Sequence, residues 1–286
     1  MTRRPSALGR IACLGGAASI VLAACGPAQG SPSASSGPSI GNPPSATAAS
    51  TPPSAAPSVT PSESPSPVPF ARNPAKIVEG KPYTQSIDPA NFVATIDNPF
   101  FPLQPGTKWT YGGDEKVVVT VTADTKLILG VAATVVRDQV FVGGKLEEDT
   151  FDWFAQDRQG NVWYFGEQTA EYTNGKVSST KGSWTGGVDG AQPGIVMLAQ
   201  PRVDDAYRQE YLAGEAEDLA KVTALSGKVT VPAGAYGDVL VTEEWTPLEP
   251  AIRERKIYAR GIGLVESRTI KGGSEVVQLE RVGTSG

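Results

Sequence analysis

Residues 70–286 read as one all-β domain, an antiparallel meander curled into an open barrel, a half-barrel or a two-layer sandwich. A disordered Ser/Pro-rich tether precedes it. Three observations point there. Val, Thr and aromatic residues dominate the stretch. Helical periodicity is scarce. Short strand-like runs recur between Gly-bearing turns at regular spacing, the mark of a meander. The 217 residues suffice for a sizeable core, and a sheet of this many strands must curl, because neighbours twist by about 20–25°.

In chain order, residues 1–24 read as a signal segment. Arg3, Arg4 and Arg10 form a basic start without an acid, and Ile11 to Ala24 is apolar or small throughout. That run falls short of the ~20 residues a spanning helix needs. It ends in Leu22-Ala23-Ala24-Cys25, which resembles the bacterial lipoprotein lipobox. The resemblance implies a diacylglycerol on the Cys25 thiol, palmitate-type acyl chains, removal of 1–24 and a new N-terminus at Cys25. The alternative is an ordinary signal peptide with Cys25 incidental. Cys13, the other of the 2 cysteines, lies in the part removed, so the mature chain has no disulfide and no thiol nucleophile.

Residues 25–69 hold the lipidated cysteine and the tether. Between Gly26 and Pro69 stand 12 Pro and 12 Ser, with Glu63 the single charge and no aromatic residue. Such a stretch cannot bury enough apolar surface to offset its conformational entropy, so it reads as a spacer or an inert linker.

The lead-in, Ala71 to Thr107, is punctuated by six prolines. Asp88-Pro89-Ala90-Asn91 suggests one helical turn capped by Asp88, with Pro89 at the first position. Asn98 to Leu103 is apolar but broken by proline, so it should pack over one end of the sheet. Strand runs follow at Lys108 to Tyr111, Lys116 to Thr122, Lys126 to Leu129, Ala133 to Val142, Leu146 to Gln156, Val162 to Glu167 and Lys176 to Trp184. Gly186 to Asp205 reads as a looser connection. Tyr207 to Leu212, Leu219 to Leu225, Lys228 to Val231, Asp238 to Pro247, Arg253 to Ala259, Gly263 to Ile270 and Glu275 to Val282 complete the set, with a helix over Ala216 to Leu225 as the alternative there. Ile257 to Glu266 resembles bacterial envelope proteins built as meandering sheets or half-barrels, and Asn98 to Tyr111 resembles secreted bacterial β-proteins of unknown function. These short likenesses imply a fold type and no catalytic residue.

Composition narrows the chemistry. Histidine is absent, which removes Ser-His-Asp and Cys-His catalysis and imidazole metal sites. No Gly-rich phosphate loop opens a helix, and no cofactor is expected. The domain carries 22 Lys+Arg against 29 Asp+Glu, a balance unsuited to nucleic acid. An enzyme would have to work through carboxylates, Ser/Lys, Tyr or a hard cation.

Two acidic runs, Glu147-Glu148-Asp149 with Asp152 and Glu215-Ala216-Glu217-Asp218, read as solvated edges that discourage foreign strand pairing. Glu215, Glu217 and Asp218 are weak calcium candidates, and paired acids are what a glycosidase uses. Arg253 to Lys256 reads as an exposed strand with cross-strand ion pairs. With a four-residue loop at Asp157 to Gly160, Phe154 should face Trp163, and Trp153 should face Tyr164. Aromatics then stand on both faces of this hairpin. Either the connection Gly186 to Gln200 covers the second face, or that face lines a cleft with Trp153 and Tyr164 as the ligand-facing pair.

The expectation is a cell-membrane lipoprotein, lipid-anchored on the extracytoplasmic side through Cys25. Its β domain would serve as a non-catalytic binding or scaffolding module for cell-wall polysaccharide, an apolar ligand or another envelope protein. The alternatives are a carboxylate-dependent hydrolase of an envelope polysaccharide and an apolar-ligand carrier.

Overall fold

A computed structural model describes residues 71–284. The signal segment, Cys25 and the Ser/Pro-rich tether lie outside the described residues. The fold is all-β and antiparallel, with one short 3-10 turn at Pro89–Asn91, where the Asp88 carboxylate accepts the Ala90 N–H as expected.

The strands are β1 (Phe92–Val93), β2 (Thr107–Gly113), β3 (Lys116–Ile128), β4 (Val131–Val142), β5 (Lys145–Asp157), β6 (Val162–Thr173), β7 (Lys176–Ser179), β8 (Trp184–Thr185) and β9 (Gln192–Met197). Then come β10 (Ala206–Arg208), β11 (Glu210–Tyr211), β12 (Leu219–Ala224), β13 (Lys228–Val231), β14 (Gly234–Gly237), β15 (Leu240–Trp245), β16 (Arg253–Ala259), β17 (Gly263–Lys271) and β18 (Val276–Thr284). The main sheet runs in the order β10-β12-β15-β16-β17-β18-β2-β3-β4-β5-β6-β9-β11. Its two ends, β10 and β11, are consecutive pieces of one chain stretch separated by Gln209, so the sheet closes almost completely into a barrel. Of the three curled forms expected, an open barrel, a half-barrel or a two-layer sandwich, the open barrel is the one adopted, with its gap nearly closed. Gly194 permits the last approach, because a Cβ there would run into the backbone of Gln209.

Period-two alternation sorts the side chains to two faces. Val117, Val119, Val121, Val136, Phe154, Tyr164, Met197, Leu240, Tyr258, Leu264 and Leu279 form the inner core. Phe100, Phe101 and Leu103 join it and plug one end, as the proline-broken run predicts. A second core lies on the outer face, where Trp153, Ala155, Trp163, Phe165, Ile195 and Tyr207 pack with Phe92, Ile87 and Tyr83 of the lead-in.

Several expectations are corrected. The aromatic hairpin is covered on its outer face chiefly by the lead-in; the Gly186 to Gln200 connection adds Ile195 and Leu198 to that cluster but joins the sheet as β9 rather than lying across it. Residues 219–224 are strand, which removes the helical alternative. Residues 234–237, which the sequence did not mark as a strand, form β14 and pair with β13 in a separate hairpin. Asp157 donates its N–H to the Asn161 carbonyl, so the loop holds three residues and the register moves by one. Phe154 therefore pairs with Tyr164, and Ala155 with Trp163. A one-residue slip exchanges faces: Trp153 and Tyr164 stand on opposite sides of the sheet, and Phe154 does not face Trp163.

Candidate functional site

The barrel interior divides along its axis into an apolar half and an acidic half. The acidic half is built by cross-strand pairs on two opposite walls. On β5 and β6 the registered pairs are Glu148 with Glu171, Thr150 with Thr169, and Asp152 with Glu167. On β15 and β16 they are Thr242 with Lys256 and Glu244 with Glu254. Asp138 from β4 and Glu210 from β11 are buried between these walls and interact with Asp152 and Lys256. Like charges directly opposite destabilise a ladder, so this arrangement must be neutralised from within.

A bulge sets the geometry. Trp153 on β5 stands opposite two residues of β6, Phe165 and Gly166, between the pairs Asp152–Glu167 and Phe154–Tyr164. The extra residue turns Glu167 inward, onto the same face as Tyr164. Gly166 has φ +128°, and a Cβ there would collide with the Trp184 carbonyl of β8.

The Tyr164 hydroxyl lies 2.7 Å from Asp152 Oδ1 and 2.8 Å from Glu167 Oε2. A phenol has one proton to donate. It donates to one carboxylate, and the second contact requires a carboxyl that donates to the phenol oxygen. At least one of the two acids is therefore protonated. Burial, reinforced by Glu148, pushes the Asp152 carboxyl up to about 8. Burial, then Asp152 and Glu210, raise Glu167 well above the usual carboxylate range. Both lie within hydrogen-bond reach of one phenol oxygen, so they are at most about 5.5 Å apart, no farther than a retaining glycosidase pair. The phenol, however, fills the space between them, where a sugar would have to sit, so the arrangement shares a proton and does not flank a substrate.

On the opposite wall Glu244 is fully satisfied. It pairs with Lys256 Nζ at 2.8 Å and accepts from the Thr242 hydroxyl at 2.7 Å and the Tyr258 hydroxyl at 3.2 Å. Among the described residues Lys256 is the one buried lysine or arginine. Burial pushes Asp218 and Glu254 each up to about 7, and it also raises Asp138 and Glu210 well above the usual carboxylate range. Asp138 Oδ1 and Glu210 Oε1 are buried without a hydrogen-bond partner.

A cleft of about 260 Å³ reaches this system from the surface. Lys126, Trp153, Glu167, Gln168, Trp184 and Asp189 are among its walls. The Lys126 ammonium stands 3.2 Å from the centroid of the Trp153 ring. Trp184 donates its indole N–H to Glu210 Oε2 at 2.9 Å and meets Tyr164 edge-on, ring centroids 5.3 Å apart. In the apolar half, by contrast, the space among Phe101, Leu103, Trp109 and Leu264 is about 10 Å³. That is about one water's worth and leaves no room there for an apolar ligand.

The residues singled out from sequence are placed as follows. Trp153 lines the cleft; Tyr164 is fully buried one layer behind Trp184 and is not at its surface. The calcium candidates are not brought together: Glu215 is exposed, Glu217 accepts the Gly214 N–H and approaches Arg208, and Asp218 belongs to the interior acids. Among the described residues no three acids assemble in a form that could hold a metal ion. The first acidic run is no solvated edge, since Asp152 is buried, while Asp149 pairs with Arg137. Likewise Glu254 and Lys256 point into the barrel, and only the Arg253 and Arg255 face looks outward.

Sequence reasoning missed Lys126, Glu167, Glu210 and Glu244. The available signal was Gly166 within a strand, a frequent mark of a bulge; counting one residue more there would have turned Glu167 inward.

No family model matches the chain, and no curated protein matches it. Among solved structures it is similar to a protein provisionally described as exported, with a YmcC-like fold, from Bacteroides fragilis NCTC 9343. That likeness has 17% identity, covers 65% of this chain and 99% of the other, and has a TM-score of 0.40. A provisionally described lipoprotein from Parabacteroides distasonis ATCC 8503 is similar at 11% identity, over 64% of this chain and 98% of the other, with a TM-score of 0.31. Both are too distant for a function to be transferred.

Proposed function

We propose that this chain is a lipid-anchored envelope protein, held through Cys25, whose barrel is a non-catalytic binding module for small polar units of an envelope polysaccharide. The observation that carries the binding half is the cleft itself. Its walls hold the edges of the buried Trp153 and Trp184 indoles, the Trp153 ring lying under Lys126, beside Gln168, Ser183, Thr185 and Glu167 as partners for hydroxyl groups, the usual mix of a ligand site. The anchoring half rests on the sequence Leu22 to Cys25 behind a basic, apolar leader.

Two measurements test the two halves. Cys25→Ala should move the protein from the membrane fraction to the soluble extracytoplasmic fraction while its melting temperature holds; unchanged retention sinks the anchor. The soluble Cys25→Ala protein should then bind isolated envelope polysaccharide with a change in tryptophan fluorescence. Trp153→Phe should weaken that binding at least ten-fold, and equal binding by the variant removes the cleft from the reading.

A further inference from the structure

The cleft combines features that together select a cation. Its Trp153 wall already carries an ammonium, that of Lys126, at cation–π distance. Burial lowers the Lys126 pKa, so this amine sits on the indole partly stripped of water. The inner wall is Glu167, whose carboxyl shares the Tyr164 phenol with Asp152. At least one proton is held between the two acids, so the group carries at most one negative charge, and an ammonium placed against it favours the ionised form. Trp184, the second indole, is hydrogen-bonded to Glu210, whose other oxygen is buried without a partner. Asp138 Oδ1, deeper in the same interior, is likewise unpartnered. Asp189 adds an acid to the cleft lining. The side chain of Lys126 is long and half-exposed, so it can swing out and surrender the indole face.

We propose that the cleft takes a ligand bearing a primary ammonium on a small hydroxylated body, an amino sugar in chemical class. The ligand's ammonium replaces that of Lys126 on Trp153 and faces Glu167. This rests on the binding-module reading above and names the chemistry of the same site. Lys126 is then a built-in competitor that holds the site closed to neutral sugars and is displaced by a better-placed cation.

The test is calorimetric titration of the soluble Cys25→Ala protein with D-glucosamine and with N-acetyl-D-glucosamine, which lacks the charge. Glucosamine should bind at least ten-fold more tightly. Adding Lys126→Ala should raise glucosamine affinity about three- to five-fold, the size of one exposed cation–π contact, and Glu167→Gln should lower it at least ten-fold. Should Glu167→Gln perturb the fold, the surface change at Lys126 still decides the matter. Equal or tighter binding of the N-acetyl sugar, or a loss of affinity in Lys126→Ala, overturns the proposal. If polysaccharide binds at Trp153 but glucosamine does not, the ammonium is wrong and the binding module stands. If neither binds, both fall.

Discussion

Raising the pH should destabilise this barrel well before any ordinary carboxylate-rich protein would respond. Consider Glu254 alone. Its ordinary value is 4.5, and burial pushes it up to about 7 in the fold. Below about pH 4 it is protonated in both states and contributes nothing to the pH dependence. Between those values the folded state keeps a proton that the unfolded chain releases, so stability falls as pH rises and levels off only above the folded value. At about 1.4 kcal/mol per unit of displacement, Glu254 accounts for about 3 kcal/mol. Asp218, about 7, and Asp152, about 8, act in the same direction. For a domain of this size about 3 kcal/mol corresponds to a fall of roughly 6–12 °C in melting temperature. Thermal melts followed by circular dichroism at pH 5, 6, 7, 8 and 9, at constant ionic strength, measure it. The same series on Glu254→Gln should show a smaller slope, with a gain over wild type at pH 8 that vanishes at pH 5. A melting temperature that is flat or rising between pH 5 and 8 would refute the claim that these acids are held protonated.

Further outcomes follow from the same geometry. Tyr164→Phe leaves Asp152 and Glu167 opposed without their shared hydroxyl; it should cost about 1–3 kcal/mol in chemical denaturation and more at pH 8 than at pH 5. Gly166→Ala forces a side chain onto a positive φ and against the β8 backbone. It should cost about 1–3 kcal/mol, and tryptophan fluorescence should report the disturbed Trp184. Phe154→Ala removes a fully buried ring stacked 4.9 Å from Tyr164, for which a loss of about 3–5 kcal/mol is expected. An unaltered denaturation midpoint in that variant would contradict its place in the inner core.

Fold class was legible because alternation and turn glycines are local signals. Most strands fall within a few residues of their expected places, and the Asp88 cap and the Asn98 to Leu103 plug needed only proline chemistry. What escaped was set by events of one residue. The loop at Asp157 closes a residue tighter than expected because its carboxylate gathers donors: the N–H groups of Gln159 and Asn161, the Asn161 amide and the Trp163 indole. That slip exchanged the faces of Trp153 and Tyr164 relative to their partners. The interior acids were illegible for a different reason. A carboxylate at an alternating position reads as solvated, and only closure of the sheet, which depends on strands far apart in sequence, turns that face into an enclosed one. Arg253 to Lys256 shows both sides of this: the alternation was readable, while the burial of Lys256 depended on Glu244 from the neighbouring strand.

The pairing of β18 with β2 has a consequence for how the molecule is made. Val282 lies against Trp109, and Thr284 against Thr107, so the ring is joined between segments at opposite ends of the described domain. Until 276–284 has emerged and found β2, the Val-rich hairpin of β2 and β3 presents an open edge, and the interior acids face water, where they ionise. Joining the ring then requires proton uptake at the same moment as a long-range loop closure, which is slow. Assembly of this barrel should then be acid-assisted. In refolding, the rate should depend on pH through the proton taken up, while early strand pairing proceeds without it.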